Sequence, residues 1–259
     1  MMPESNSKPT IISMAVLAIA ISSALHEGIG HGLIALLRGD IPTELTSNHL
    51  SDLRPDRLVD AGGTLVNLAA GTLAMFAAQL SGRRSNVRYF LRLLGCFNLM
   101  DGAGYFLFSG ILGLGDWQEV IAGLPYYIAL RIGMSLFGAV LYRFVVKIIA
   151  RLLEPFCPDK TDQSLYNTVG RLPYYAACAF YCVAGAFDPL GLKVFFLSTI
   201  PAAFGGNCGL LWADRFLPKS STDMGPPLTV SRQPAWWIAA TILGFAYILF
   251  LGRGIHFAR

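Results

Sequence analysis

Residues Ile11–Leu37 read IISMAVLAIAISSALHEGIGHGLIALL. The run exceeds the roughly 20 apolar residues that a helix needs to cross a bilayer. It is too long for the core of a signal peptide and is followed by no convincing small-residue cleavage site. Against this apolar background stand His26, Glu27 and His31. Each ionisable group at the centre of a span costs about 2.5–3.5 kcal/mol. Three so close together therefore mark a functional site.

The rest of the chain fits the same class. Of its 259 residues 54% are hydrophobic and 14% charged, and the mean hydropathy is +0.53. An average soluble domain carries about 25% charge. The composition excludes a disordered chain, a disulfide-rich secreted module and most soluble enzymes. It predicts an all-α integral membrane protein, a polytopic bundle of about 6–7 transmembrane helices. After Ile11–Leu37 the apolar runs fall at Ala61–Leu80, Tyr89–Leu114, Leu124–Val146, Leu172–Phe187, Leu192–Leu211 and Ala235–Leu251. Pro201 and Gly205-Gly206 are candidate breaks in the sixth. Residues 1–114 are expected to form a catalytic three-helix core, with 115–259 adding further helices to the same membrane domain.

Basic residues cluster in Arg83–Arg92, Lys147–Arg171 and Lys219–Arg232. With seven spans these share one side, and the Lys/Arg bias predicts a cytoplasmic N-terminus. The net charge of +4 is thus read as an orienting signal, with no nucleic-acid partner. The polar stretch Arg38–Asp60 is expected on the opposite side. The acidic loop Gly115–Gly123 carries Asp116 and Glu119 without Lys or Arg. His49 and His256 are expected to be solvated, Arg131 to snorkel to the interface, and Trp236-Trp237 to form an interfacial belt. Gly205-Gly206-Asn207 reads as a helix break or a cavity lining.

Two imidazoles and a carboxylate are the inventory of a zinc site, with the carboxylate as general base. The usual zinc helix carries HExxH, its histidines at i and i+4. Here the spacing is HExxxH, and i, i+5 lie roughly 140° apart on a regular α-helix. A π-bulge absorbs one extra residue, and Gly28 and Gly30 make that distortion cheap. Asp101 is the one carboxylate deep in another span and can donate an oxygen to a metal; pairing with Arg131 or a histidine is the competing role. Asn98 shares its face at i, i+3. In the second span Gly63, Asn67 and Gly71 form a small-polar-small stripe that allows close helix approach.

Together these pieces resemble the site-2 protease family of intramembrane zinc metallopeptidases. The matching residues are His26, Glu27 and His31, then Gly63 and Asn67, then Asn98, Asp101 and Gly102. The resemblance spans about Ile11–Leu114. It departs from the family in the extra residue between the histidines and in a third motif that reads Asn-Leu-Met-Asp-Gly, without prolines. It implies Zn²⁺ held by His26, His31 and Asp101, water activated by Glu27, and substrate held by Asn67 and Asn98. The implied activity is a metalloprotease, a hydrolase cutting peptide bonds in or near transmembrane segments of a membrane protein substrate within the lipid bilayer. The resemblance suggests cytoplasmic access, whereas the charge pattern puts the loop nearest the histidines outside. The competing expectation is a non-hydrolytic membrane protein with a structural, sensing or transport metal site. No repeated half supports a transporter. A regulatory membrane partner is left open.

Overall fold

The structure is a computed structural model that describes residues 5–54, 56–82, 85–219 and 226–257. Helix α1, Lys8–Leu37, carries Pro9 in its first turn, which fits because no backbone N–H partner is needed there. Its stretch Leu25–Leu33 is π-helical. A hairpin of β1 (Pro42–Leu45) and β2 (Leu50–Asp52) follows. Asp56 then caps α2 (Arg57–Leu80) by accepting from the Leu58 amide at 2.8 Å. Next come α3 (Ser85–Leu112), the short α4 (Asp116–Ile121) and α5 (Tyr127–Leu153). Helix α6 (Leu172–Gly185) continues from a lead-in through Gln163–Tyr166 and Asn167–Arg171. Helices α7 (Leu192–Phe216) and α8 (Pro234–Gly252) complete the bundle. Strand β3 (Ile255–His256) closes an antiparallel sheet of order β2-β1-β3.

The chain is mostly helical, and among the described residues five helices, α1, α2, α5, α7 and α8, are long and apolar enough to cross a membrane. The expectation of about 6–7 counted two more. Helix α3 has the length, 28 residues, but Asn98, Asp101 and its glycines dilute its hydropathy. Helix α6 has only 14 residues. Helix α3 is instead the central pillar. Tyr89, Leu93, Cys96, Phe97, Met100 and Ala103 are buried against Ile11, Met14 and Ala18 of α1 and Val146, Ile149 and Leu153 of α5. The outer faces are apolar. Leu65, Leu73, Phe76 and Leu80 on α2, and Ile132, Leu136, Val140 and Phe144 on α5, all point outward. Burial of Thr64 and Asn67 beneath an apolar exterior is the reverse of a water-soluble helix.

Several boundaries move. Arg88 and Arg92 belong to α3, and Lys147 and Arg151 to α5, rather than to loops. Arg83, Arg84 and residues 220–225 lie outside the described residues. Helix α7 turns π-helical over Pro201–Gly206 and tightens over Cys208–Leu211, at the expected break. Arg131 does not extend freely to an interface. It donates to the carbonyls of Gly110 (3.1 Å) and Ile111 (2.7 Å) and caps the end of α3. The Trp237 indole donates to Thr10, and that of Trp236 to Gln233.

The three basic stretches meet at one end of the bundle. There Asn86 bonds Ser231 and Gln233, the Leu228 amide donates to Pro155, Lys160 to Pro218, and Ser7 to Val230. The hairpin lies at the other end. Its turn is riveted down: the Ser47 carbonyl accepts from Tyr181 (2.7 Å) and Ser23 (3.1 Å). Asn48 donates to Asp188 (3.0 Å) and accepts from Thr199 (2.8 Å).

His49 is not the solvated residue expected. Its side chain is 20% exposed, with Asp188 and Glu44 each 3.5 Å from one ring nitrogen and Thr46 Oγ1 at 2.9 Å. Burial disfavours the imidazolium, but Asp188, Glu27 and Glu44 outweigh it and hold the pKa above the ordinary imidazole value. A raised folded-state pKa gives stability that is complete below the unfolded pKa of about 6.5 and fades as pH rises through the folded value. The thermal midpoint in detergent is therefore expected to fall as pH rises from 6 to 9. His49→Gln should flatten that slope; an unchanged slope would exclude His49 as its source.

Candidate metal centre

The site begins with the helix irregularity. In the π-helical Leu25–Leu33 the bonding pattern is i→i+5, which sets residues 26 and 31 about one turn apart. Their imidazoles converge with Nε2 atoms 3.2 Å from each other. Asp116, the first residue of α4, brings Oδ2 to 3.1 Å from His26 Nε2 and 3.4 Å from His31 Nε2. Gly113 and Gly115, at φ 66° and 79°, make the turn that sends Asp116 back over the histidines. Helix α4 is pinned by Trp117, its ring tilted against Phe106 with centroids 4.4 Å apart, and by Arg57 donating to the Ala122 carbonyl at 2.9 Å.

These three atoms have the dimensions of one face of a coordination tetrahedron. Ligands about 2.0–2.1 Å from a zinc ion are separated by about 3.3–3.4 Å, against the observed 3.1, 3.2 and 3.4 Å. The donors are also correctly presented. His31 Nδ1 lies 2.7 Å from the Val59 carbonyl. A carbonyl only accepts, so the proton sits on Nδ1 and Nε2 turns its lone pair toward Asp116. Asp116 Oδ2 is buried without a hydrogen-bond partner. The His31 lone pair, the Nε2 edge of His26 and a carboxylate oxygen converge on one point, an arrangement that suits a cation. Among the described residues this is the group whose ligand atoms can hold a metal ion.

Helix α2 makes room for the rings. A Cβ on Gly63 would lie 2.5 Å from Nε2 of both His26 and His31. One residue earlier, a Cβ on Gly62 would overlap the carbonyl oxygen of Gly30. The glycine stripe thus lets α1 and α2 touch backbone to backbone, and the imidazoles occupy the space where a side chain would stand.

Of the expected residues, His26, Glu27 and His31 come together, but Asp101 does not join the Nε2 atoms. Its Oδ2 is 3.8 Å from His26 Nδ1, on the opposite edge of the ring, and accepts from Asn67 Nδ2 at 2.6 Å. It sits where a carboxylate can orient a ligating imidazole. Tyr105 stacks on the same ring, centroids 4.8 Å apart. Asn67 and Asn98 are fully buried. Asn98 donates to its own helix at Leu94 (2.8 Å). Neither asparagine lines the large cavity beside the site.

That cavity, about 620 Å³, is bounded by Glu27, His31 and Asp116 and walled by apolar residues including Leu107, Phe108, Ile111 and Leu197. Gly205 and Gly206 line it, as the break in α7 suggested. A second cavity of about 20 Å³ lies among Ser22, Ser23, His26, Glu27, Asp101, Tyr181 and Asn207, large enough for about one water molecule. Glu27 lines both. It is 3% exposed, and its Oε2 has no hydrogen-bond partner. His256, its side chain 69% exposed, pairs with Glu44 at 3.5 Å, away from the metal group.

Asp116 is the residue that sequence reasoning passed over. It lies in what reads as an interhelical loop, and its visible signals are the paired glycines before it and the absence of any nearby cation. Comparison with known family models, curated proteins and solved structures finds no match, so this geometry carries the functional reading.

Proposed function

We propose that the protein is a multi-pass membrane zinc endopeptidase that hydrolyses peptide bonds in or near transmembrane segments of membrane protein substrates. The observation that carries the reading is the tetrahedral-face triangle of His26, His31 and Asp116 with an unpartnered Glu27 beside it, opening onto a peptide-sized cavity. Membrane residence is supported by the five long apolar helices and by the apolar outer faces of α2 and α5. The basic end of the bundle is the cytoplasmic one by the Lys/Arg bias, so the hairpin end and the cavity mouth face the opposite side.

Zinc, when bound, supplies a water acidified toward pH 7 and polarises the scissile carbonyl. Glu27 is the proton acceptor: it lines the cavity, and its Oε2 has no protein hydrogen-bond partner. In product formation it returns that proton to the leaving amine. Asp101, held by Asn67, lies 3.8 Å from His26 Nδ1 and Tyr105 stacks on that ring, while Val59 fixes the plane of His31. A helical substrate has its amides already bonded and must unwind locally; the large cavity gives it space to do so.

The test is cleavage of a quenched fluorescent peptide by purified, zinc-loaded protein beside Glu27→Gln. The variant is expected to retain zinc and fold and to lose about 10²–10⁴-fold in rate. Equal turnover by both would refute the mechanism. Zinc bound without any cleavage would favour a structural, sensing or transport role.

A further inference from the structure

Beside the metal group stands a hydroxyl that the hydrolytic chemistry has not used. Tyr105 of α3 stacks on the His26 ring, with centroids 4.8 Å apart and planes 22° from parallel, and Phe108 stands edge-on to it at 6.4 Å. These contacts fix where its ring lies. For stacking alone a phenylalanine would serve, as Phe106 does against Trp117. The hydroxyl is the surplus. It lies within electrostatic range of Asp116, Asp101 and Glu27. It hydrogen-bonds to none of them, nor to any other group among the described residues. Nor is it sealed into the packing, because the half-buried Tyr105 forms part of both cavity walls. Among the described residues four line both the large cavity and the small chamber: Glu27, Asp101, Tyr105 and Ala202. Of these Tyr105 alone brings a hydroxyl.

A phenol titrates near about pH 10, so at neutral pH it is a hydrogen-bond donor. Three carboxylates lie near this one and none takes its hydrogen, which leaves the donor for a ligand. Hydrolysis brings a matching acceptor to the same space. As the oxygen of water bonds to the scissile carbon, the π pair of the carbonyl moves onto the carbonyl oxygen, which becomes anionic. We propose that Tyr105 is a catalytic residue whose hydroxyl donates a hydrogen bond to that oxygen as its charge develops. A fixed donor aimed at developing charge in a site screened from bulk water lowers the barrier. The proton stays on Tyr105 throughout. When the C–N bond breaks, the pair returns to the carbonyl and the leaving amine takes its proton from Glu27. The inference rests on the endopeptidase reading and supplies a donor which that reading lacks. The neighbouring donors of the small chamber are engaged: Tyr181 and Ser23 donate to the Ser47 carbonyl, and Asn207 to that of Ala202.

Tyr105→Phe keeps a ring for His26 and removes the hydroxyl alone. In zinc-loaded protein in detergent, kcat on a quenched fluorescent peptide is expected to fall about 10²–10³-fold. KM should stay within about threefold of wild type and zinc content should hold. Binding is read without turnover. A labelled phosphinate peptide carries a tetrahedral anion in place of the scissile carbonyl, and it should bind Tyr105→Phe at least about tenfold more weakly than wild type. The parent peptide, titrated on the Glu27→Gln background with and without Tyr105→Phe, should change by under about threefold. A loss confined to KM, equal weakening of phosphinate and parent peptide, or no phosphinate binding by wild type would overturn the proposal. Loss of zinc from Tyr105→Phe would overturn it too, and would make the residue a support for His26. Undiminished cleavage by Tyr105→Phe would sink the donor and leave the endopeptidase standing. No cleavage by wild type, with phosphinate affinity still dependent on the hydroxyl, would sink the endopeptidase reading and leave the donor to an anionic oxygen standing.

Discussion

Gly63→Ala is expected to empty the metal site of a protein that still folds. The added methyl would stand 2.5 Å from the Nε2 atoms of His26 and His31, well inside van der Waals contact. What it meets are the ends of two side chains, which can rotate away. The cost to the fold is then that of modest overpacking, about 1–3 kcal/mol. The cost to the site is total, because neither ring can leave its place and still point its lone pair at Asp116. Elemental analysis should show zinc falling from about one per chain to below about 0.1, with size-exclusion behaviour retained. Gly62→Ala makes the contrast. Its methyl meets the backbone carbonyl of Gly30, which cannot rotate away, so α1 and α2 must separate and both zinc and stability should be lost. Gly28→Ala meets nothing within 4 Å and should lose neither. Full zinc in Gly63→Ala would show that the rings do not lie over this residue.

The same contrast explains what the sequence disclosed. The i, i+5 spacing of His26 and His31 is incompatible with a regular helix, so any metal reading had to include a π-bulge, and glycines at 28 and 30 make one affordable. Small residues at 63 and 71 announce close helix approach because only they permit it. These inferences rest on local geometry, which a one-dimensional string retains. Asp116 was not legible in this way. Its role depends on how Gly113 and Gly115 direct the chain after α3, and on Trp117 finding Phe106. Both are matters of tertiary packing. Asp101 looked like the better ligand because a buried carboxylate in a span demands a partner, and it has one: Asn67, from the small-polar-small stripe of the second span. His49 misled for the opposite reason. A histidine in a polar stretch reads as solvated unless Asp188, 139 positions away, is known to fold back over it.

The ligand set gives the second large effect. Asp116→Ala removes the anionic corner of the triangle and leaves two neutral imidazoles, which do not make a three-ligand zinc site. Zinc is expected to be lost on dialysis against buffer without chelator. The fold should survive, because α4 is held by Trp117 and by Arg57. Asp101→Asn is expected to behave differently. The asparagine oxygen can still accept from Asn67, and the change removes only the negative charge beside His26 Nδ1 at 3.8 Å. Losing a partner that orients a ligating histidine typically weakens metal affinity by about 10–100-fold, so zinc should remain at saturating metal and be surrendered earlier in a chelator titration. The two variants therefore rank the carboxylates without any assay of activity. The reverse order, zinc kept by Asp116→Ala and lost by Asp101→Asn, would return Asp101 to the metal and reduce Asp116 to a hydrogen-bonding neighbour of the two imidazoles.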